Sequence, residues 1–386
     1  MASRSAEGLS RIRIFQPGVI ILVCAVSLTV FGVSVLFSAS AHSGSDPYFF
    51  IRRQFMWLGI ALLVGFFLSL VNLDGLKRFA WPALAVSLAG LVLVLIPGIG
   101  VEVNGARRWI DLGFMRVQVS EFAKLGLVFT LACYFGANQR AIPSFWAGFV
   151  LPCAYIGLFA GLIFLEPDYG TAALCGAVGL TLLFLAGVRL TYLVPMCMAA
   201  TAAFALAVFT NPLRRGRILS FMDIEGNRGD GAYQLWQAIL AFGTGGTQGV
   251  GLGNGRQQMA FLPEAHTDFI FAVIGEELGF FATTVVLLLF LVLFLAGIWH
   301  LRRAPNMYQY LLVAGALLLL SVQALINMAV VTGCLPTKGL SLPFISYGGS
   351  NLVAMFAIIG VLVNTSLSWT KSPIRHSRRR LKEIAA

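Results

Sequence analysis

Ten separate apolar runs, each near the ~20 residues that cross a hydrocarbon core, punctuate this chain at 17–39, 53–71, 79–96, 120–137, 145–165, 171–188, 190–210, 269–298, 306–332 and 345–366. In lipid every backbone N–H and C=O must be satisfied within the protein, so runs of this length fold as helices. The fold class is therefore an all-α integral membrane protein with ten transmembrane helices. Composition agrees: 58% of the 386 residues are hydrophobic and only 11% are charged, against roughly a quarter charged in soluble domains. The 41 glycines follow no G-X-Y period, which excludes collagen, and the lack of long polar tracts excludes wholesale disorder. Ala39-Ser40-Ala41 has the small-residue pattern of a signal-peptidase site. The apolar run before it is as long as a span, so it reads as a retained first helix.

The net charge of +11 comes from 27 Lys+Arg against 16 Asp+Glu. Fifteen of those cations fall in the tail 1–16, the short loops 72–78, 138–144, 188–190 and 299–305, and the basic tail 367–386; only three carboxylates, Glu7, Asp74 and Glu383, accompany them. By the positive-inside rule these segments, and hence both termini, are assigned to the cytoplasm. Basic charge thus reports topology in the cytoplasmic membrane, and no nucleic-acid partner is implied. One membrane domain, 17–366, lies between the two tails. Six cysteines without CxxC spacing and four histidines without HExxH or an i, i+4 pair supply no built-in cofactor or metal site.

The opposite face receives 40–52, 97–119, 166–170, 211–268 and 333–344, and gathers ten of the sixteen acids: Asp46, Glu102, Asp111, Glu166, Asp168, Asp223, Glu225, Asp230, Glu264 and Asp268. Any chemistry is expected there. The large loop 211–268, between helices 7 and 8, is far longer than an ordinary connection, and its Phe221, Tyr233, Trp236, Phe242 and Phe261 argue against disorder. A loop of this length can be ordered by a partner.

Five stretches can carry function. NGARRWIDLG (104–113) and SEFAK (120–124) place Arg107, Arg108 and Trp109 on the outer loop, with Glu121 and Lys124 entering the fourth helix. They suit either a phosphate or an interfacial anchor, and Glu121 is a ready partner for Lys124. In EPDYGT (166–171), Pro167 and Gly170 make a turn with Asp168 or Thr171 as helix cap, or Asp168 is a site carboxylate. The glycine-dense segment 241–255 is either a backbone-amide nest for phosphate or a loop bent close to the membrane, and it lacks a GK[ST] ending. LPEAHTDFIFAVIGEELG (262–279) sets Glu264, His266 and Asp268 at a helix start, with Glu276 and Glu277 inside. Thr267 or Asp268 as N-cap fits the position and would lower the pKa of Asp268 through the helix dipole, whereas a general base wants it raised by burial, and both readings stand. PTKGLSLPFISYGGSN (336–351) carries an outward Lys338, a phosphate ligand or a snorkelling side chain.

In this order, GARRWIDLG, SEFAK, EPDYGT, PEAHTDF, EELG, PTKGL and SYGGS resemble the SEDS family (shape, elongation, division, sporulation). The resemblance spans essentially the whole chain, and PEAHTDF and PTKGL look like its cell-division member. It implies a peptidoglycan glycosyltransferase at the division septum that polymerises lipid II on the outer face of the cytoplasmic membrane. Implied partners are a class B penicillin-binding transpeptidase and other divisome membrane proteins. The family's essential aspartate falls on Asp268. Arg108, Lys124 and Lys338 are candidates for the pyrophosphate, and Glu121, Asp168, His266 and Ser346 complete the candidate headgroup set. Val119, Tyr169 and Asn351 depart from the usual family residues. Glycan polymerisation needs a base for the acceptor hydroxyl and cations for the leaving pyrophosphate. The rivals are a lipid II flippase using Lys124, Glu276 and Glu277 as a polar path, an inactive scaffold, and the rod-elongation polymerase.

Overall fold

The computed structural model describes residues 16–40, 48–103, 105–113, 115–257 and 261–370; Asp46, Asn104 and nearly all of both tails lie outside the described residues. Ten helices among these residues are long and apolar enough to cross a membrane. They are α1 (Pro17–Ser40), α2 (Phe49–Leu70), α3 (Ala80–Leu95), α4 (Val119–Ala137), α5 (Leu151–Leu165), α6 (Tyr169–Ala186), α7 (Leu190–Phe209), α10 (Ile270–Leu301), α11 (Met307–Val331) and α12 (Gly349–Thr370). Helical turns at Leu73–Leu76, Lys77–Phe79 and Phe145–Val150 lead into α3 and α5. The starts shift where hydropathy is blind: α2 begins at Phe49 and carries Arg52 and Arg53 in its first turns, because a helix continues past the hydrocarbon edge.

Local signals set several ends. Pro17 and Pro212 open their helices at positions where a missing N–H costs nothing. Asn306 caps α11 through Gln309 N, and Gly187, at φ 92°, ends α6 in the left-handed region. α4, α11 and α12 form the buried centre, whereas α7 is the least buried of the ten. Small residues allow the closest crossing: a side-chain carbon at Gly360 on α12 would meet the Gly65 carbonyl of α2 at 2.3 Å.

Two of the stretches assigned by charge to the outer face are more ordered than expected. Segment 97–119 contains a three-stranded antiparallel sheet of β1 (Gly100–Val103), β2 (Ala106–Asp111) and β3 (Arg116–Gln118), with Val101 opposite Trp109 and Ile110 opposite Val117. Segment 211–268 holds α8 (Pro212–Met222) and α9 (Tyr233–Gly245), so it is a folded unit rather than a loop. Helix α10 breaks at Gly279 (φ 73°, ψ −170°), a conformation essentially open to glycine alone.

Candidate active site

The turn before α10 is built on Glu264, whose φ of 57° directs its carbonyl at the N–H groups of Thr267 (3.1 Å) and Phe269 (3.3 Å). That closure projects Asp268 toward the loop 336–348, where a side-chain carbon on Gly339 would lie 3.0 Å from Asp268 Oδ2. The N-cap position of α10 is Phe269, with no side-chain cap bond, so Asp268 is not the cap. Burial first, then the negative charges of Glu264 and Asp168, push its pKa up from 3.8 to about 7, with Arg108 pulling the other way. A carboxylate poised near neutrality is what proton abstraction at physiological pH requires.

Asp168 does cap α6: its side chain accepts from Thr171 N (3.1 Å) and Thr171 Oγ1 (2.9 Å). Arg108 leaves β2 and clamps this turn, donating to Glu166 O (3.3 Å) and Pro167 O (2.7 Å) while its Nη1 stands 3.9 Å from Asp168 Oδ2. A cavity of about 160 Å³ opens here, lined in part by Arg108, Asp168, Lys338 and Gly339. Two further cations on its wall, Arg214 and Arg217 from α8, were not singled out from the sequence. The guanidinium of Arg214 stacks 3.1 Å from the Tyr169 ring centroid and donates to Ala207 O, which gives the unusual Tyr169 a task. Their sequence signal was LRRGR (213–217), a basic run on the side that the charge rule leaves poor in cations.

Lys338 lines the cavity with Nζ over the Phe204 ring, and burial holds its pKa below the usual lysine range, opposed by Asp168. Phe204 also lines an apolar groove of about 900 Å³ between α5, α6 and α7, walled by Phe164, Gly176, Leu193 and Ala203 among others. Cationic cavity and apolar groove are therefore neighbours. Among the described residues no group of three or more His, Cys, Asp or Glu side chains is placed to hold a metal ion.

Other candidates sit elsewhere. Lys124 is 1% exposed, and its ammonium donates to Glu121 Oε1 (2.9 Å) and Gln323 Oε1 (2.7 Å); it does not line the cavity. Glu121 spends its second oxygen on Asn351 Nδ2 (2.9 Å), so Asn351 is a partner in a buried network. Ser346 Oγ accepts from Leu342 N (2.7 Å) and closes a turn. His266 packs between Phe50 and Tyr347, with ring centroids 4.5 and 5.8 Å away. Burial lowers its pKa against the pull of Glu264.

The glycine-dense loop resolves as an internal nest. Gly253 N donates to Glu277 Oε1 (2.9 Å), as does Ser38 Oγ (2.6 Å), and the N–H groups of Arg256 and Gln257 donate to Glu276. Val250 N and Gly251 N bond the carbonyls of Glu276 and Glu277, and Phe280 N bonds Gly246 O, which satisfies the backbone exposed by the break at Gly279. The amides that could cradle phosphate thus hold the protein's own carboxylates.

Glu166 is fully buried, and neither carboxylate oxygen has a hydrogen-bond partner among the described residues. Burial, then Asp168, push its pKa from 4.5 to about 8 against Arg108. With the folded value raised, stability is full below the unfolded pKa and is lost as pH rises to about 8, then levels. Glu166→Gln is expected to melt higher than wild type, by a margin that widens from about pH 5 to about pH 8. A margin independent of pH in thermal melts would show that Glu166 is ionised when folded.

A polytopic helical membrane protein with a poised carboxylate beside a cationic cavity, the cavity adjoining an apolar groove, is the class that fold and site define. Residues 18–371 match the FtsW/RodA/SpoVE family, described as cell cycle proteins, and the chain belongs to that family. It is 39% identical to the probable peptidoglycan glycosyltransferase FtsW of Methylococcus capsulatus, covering 90% of this chain and 89% of that one. It is 38% identical to stage V sporulation protein E of Bacillus subtilis, covering 91% and 97%. Among solved structures, a chain of a peptidoglycan synthase complex that coordinates polymerization and crosslinking aligns with TM-score 0.76 at 28% identity over 90% of this chain and 97% of that one. The rod shape determining protein RodA of Thermus thermophilus aligns with TM-score 0.68 at 28% identity, covering 90% and 96%.

Proposed function

We propose that this protein is a peptidoglycan glycosyltransferase that polymerises lipid II, acting in septal wall synthesis during cell division. The observation that carries this reading is Asp268, raised toward neutrality, beside a cavity lined by Arg108, Arg214, Arg217 and Lys338 that adjoins an apolar groove. Asp268 takes the proton from the acceptor sugar hydroxyl as its oxygen attacks the anomeric carbon of the donor. The glycosidic C–O bond to the diphosphate breaks, and lipid pyrophosphate leaves against the cations. The groove suits the polyprenyl tail, and the charge pattern supports an extracytoplasmic position for the site. The flippase alternative draws no support from Lys124, Glu276 and Glu277, which hold internal partners. The division role is supported by PEAHTDF and PTKGL and by relatives named FtsW, although a sporulation relative is also similar. A class B transpeptidase partner is supported by the related synthase complex. Asp268 is half-buried, and groups of this chain alone already raise its pKa.

The test is polymerisation by purified protein in detergent, where lipid II needs no transport. Glycan product supports a polymerase; its absence, with flipping retained in vesicles, would move the assignment to transport. Bonds to charged groups contribute ~1.5–3 kcal/mol, so Arg214→Gln or Arg217→Gln is expected to raise the lipid II concentration needed for half-maximal rate by about ten- to a hundredfold. Unchanged saturation curves in both variants would remove α8 from the site.

A further inference from the structure

Two amides stand one turn apart on one face of α11, at the centre of the bundle. Asn327, buried, donates both hydrogens of Nδ2 to backbone carbonyls: Asp268 O at 2.8 Å and Leu340 O at 2.6 Å. Gln323, fully buried, donates from Nε2 to Ser341 O at 2.9 Å. Residues 336–341 have no regular secondary structure of their own, so these bonds tie the Lys338 loop to the helix. A carbonyl only accepts, so an Asn nitrogen facing two carbonyls can be oriented in one way only. The flip of Gln323 is fixed from the other side, where Lys124 Nζ donates to its Oε1 at 2.7 Å. The same ammonium is held by Glu121, and Glu121 by Asn351.

We propose that Asn327 and Gln323 are positioning residues that hold the Asp268 turn and the Lys338 loop at a fixed separation, with the Lys124–Glu121 pair locking the amide of Gln323 in its donating orientation. Neither amide touches substrate. One Asn327 nitrogen bridges the carbonyl of the base and the carbonyl two residues from the cation, so a single side chain sets their relative place. It also seats Gly339 against the Asp268 carboxyl. Release of the loop would open that carboxyl further to water and carry Lys338 away with it, while the other charged groups near it remain: Glu264 in its own turn, Asp168 at the cap of α6 and Arg108 on β2. Water would then favour the ionised form and move the acid limb of activity to lower pH.

The inference rests on Asp268 as base, and the experiment separates the two. Asn327→Asp places an acceptor before two carbonyls and drives them apart. Gln323→Glu keeps an acceptor for Lys124 and sets an oxygen against one carbonyl, that of Ser341, instead of two, a smaller disturbance that carries the test if the first variant does not fold. Both are assayed as full-length protein in nanodiscs with lipid II for kcat, KM, the pH profile of kcat and thermal unfolding. The expected result is a kcat loss on the order of ten- to a hundredfold, the scale for a reacting group displaced by about 1 Å. KM should change little, and the acid limb should fall below that of wild type. An unmoved acid limb, with rate lost only in proportion to unfolded protein, would overturn the proposal. If Asp268→Asn itself keeps wild-type rate, the failure belongs to the base assignment instead.

Discussion

Asp268→Asn is expected to abolish glycan polymerisation, by about 10²–10⁴-fold in kcat, while the protein folds and still binds lipid II. Asparagine keeps the shape of the side chain, and no cap is lost because α10 starts without a side-chain cap. The backbone carbonyl held by Asn327 is untouched. Because burial raises the carboxyl to about 7, wild-type kcat should climb as pH rises through neutrality, the base working only once it has lost its proton. The same shift fixes the sign of the stability effect. With the folded value above the unfolded one, the native state loses stability as pH rises toward 7, so Asp268→Asn should melt higher than wild type at about pH 8 and nearly alike at about pH 4. An active site that costs stability is the usual trade-off. Near wild-type polymerisation by the variant, or a rate flat across neutral pH, would remove Asp268 as the base.

The spans were legible because their signal is local: each helix needs its own apolar run, and all ten lie close to where hydropathy puts them. The Asp168 cap was legible for the same reason, since Thr171 is three residues away. Asp268 shows where local sequence stops. Cap and base differ only in how Phe269 and the preceding turn are held, and the groups that meet that turn, Asn327, 59 residues on, and Gly339, are distant in sequence. The glycine-dense loop is similar, because an amide nest has the same sequence whether it receives phosphate or Glu276 and Glu277. The meaning of Arg214 and Arg217 depends on α8 being a helix and on Tyr169, which opens the distant helix α6.

Lys124→Met should fail by unfolding rather than by losing pyrophosphate. Lys124 and Glu121 are 1% and 5% exposed, 2.9 Å apart. Removing one member of such a pair leaves the other charge buried and uncompensated, which costs about 3–5 kcal/mol. A phosphate ligand would behave differently, raising KM while melting normally. The double variant Lys124→Met/Glu121→Gln removes both charges and leaves an amide for Asn351, so most of the stability should return, as it does when buried pairs are replaced together. Its rate should not return with it. Without the ammonium, nothing holds Gln323 Oε1 away from the Ser341 carbonyl, and the Lys338 loop loses one of its two ties to α11. A double variant as unstable as the single one would mean that the pair is not what the lysine stabilises. One that is stable and fully active would mean that the lysine serves folding alone. Recovery of the melt without recovery of kcat is the outcome that makes a buried lysine in a membrane helix part of how the site is aligned.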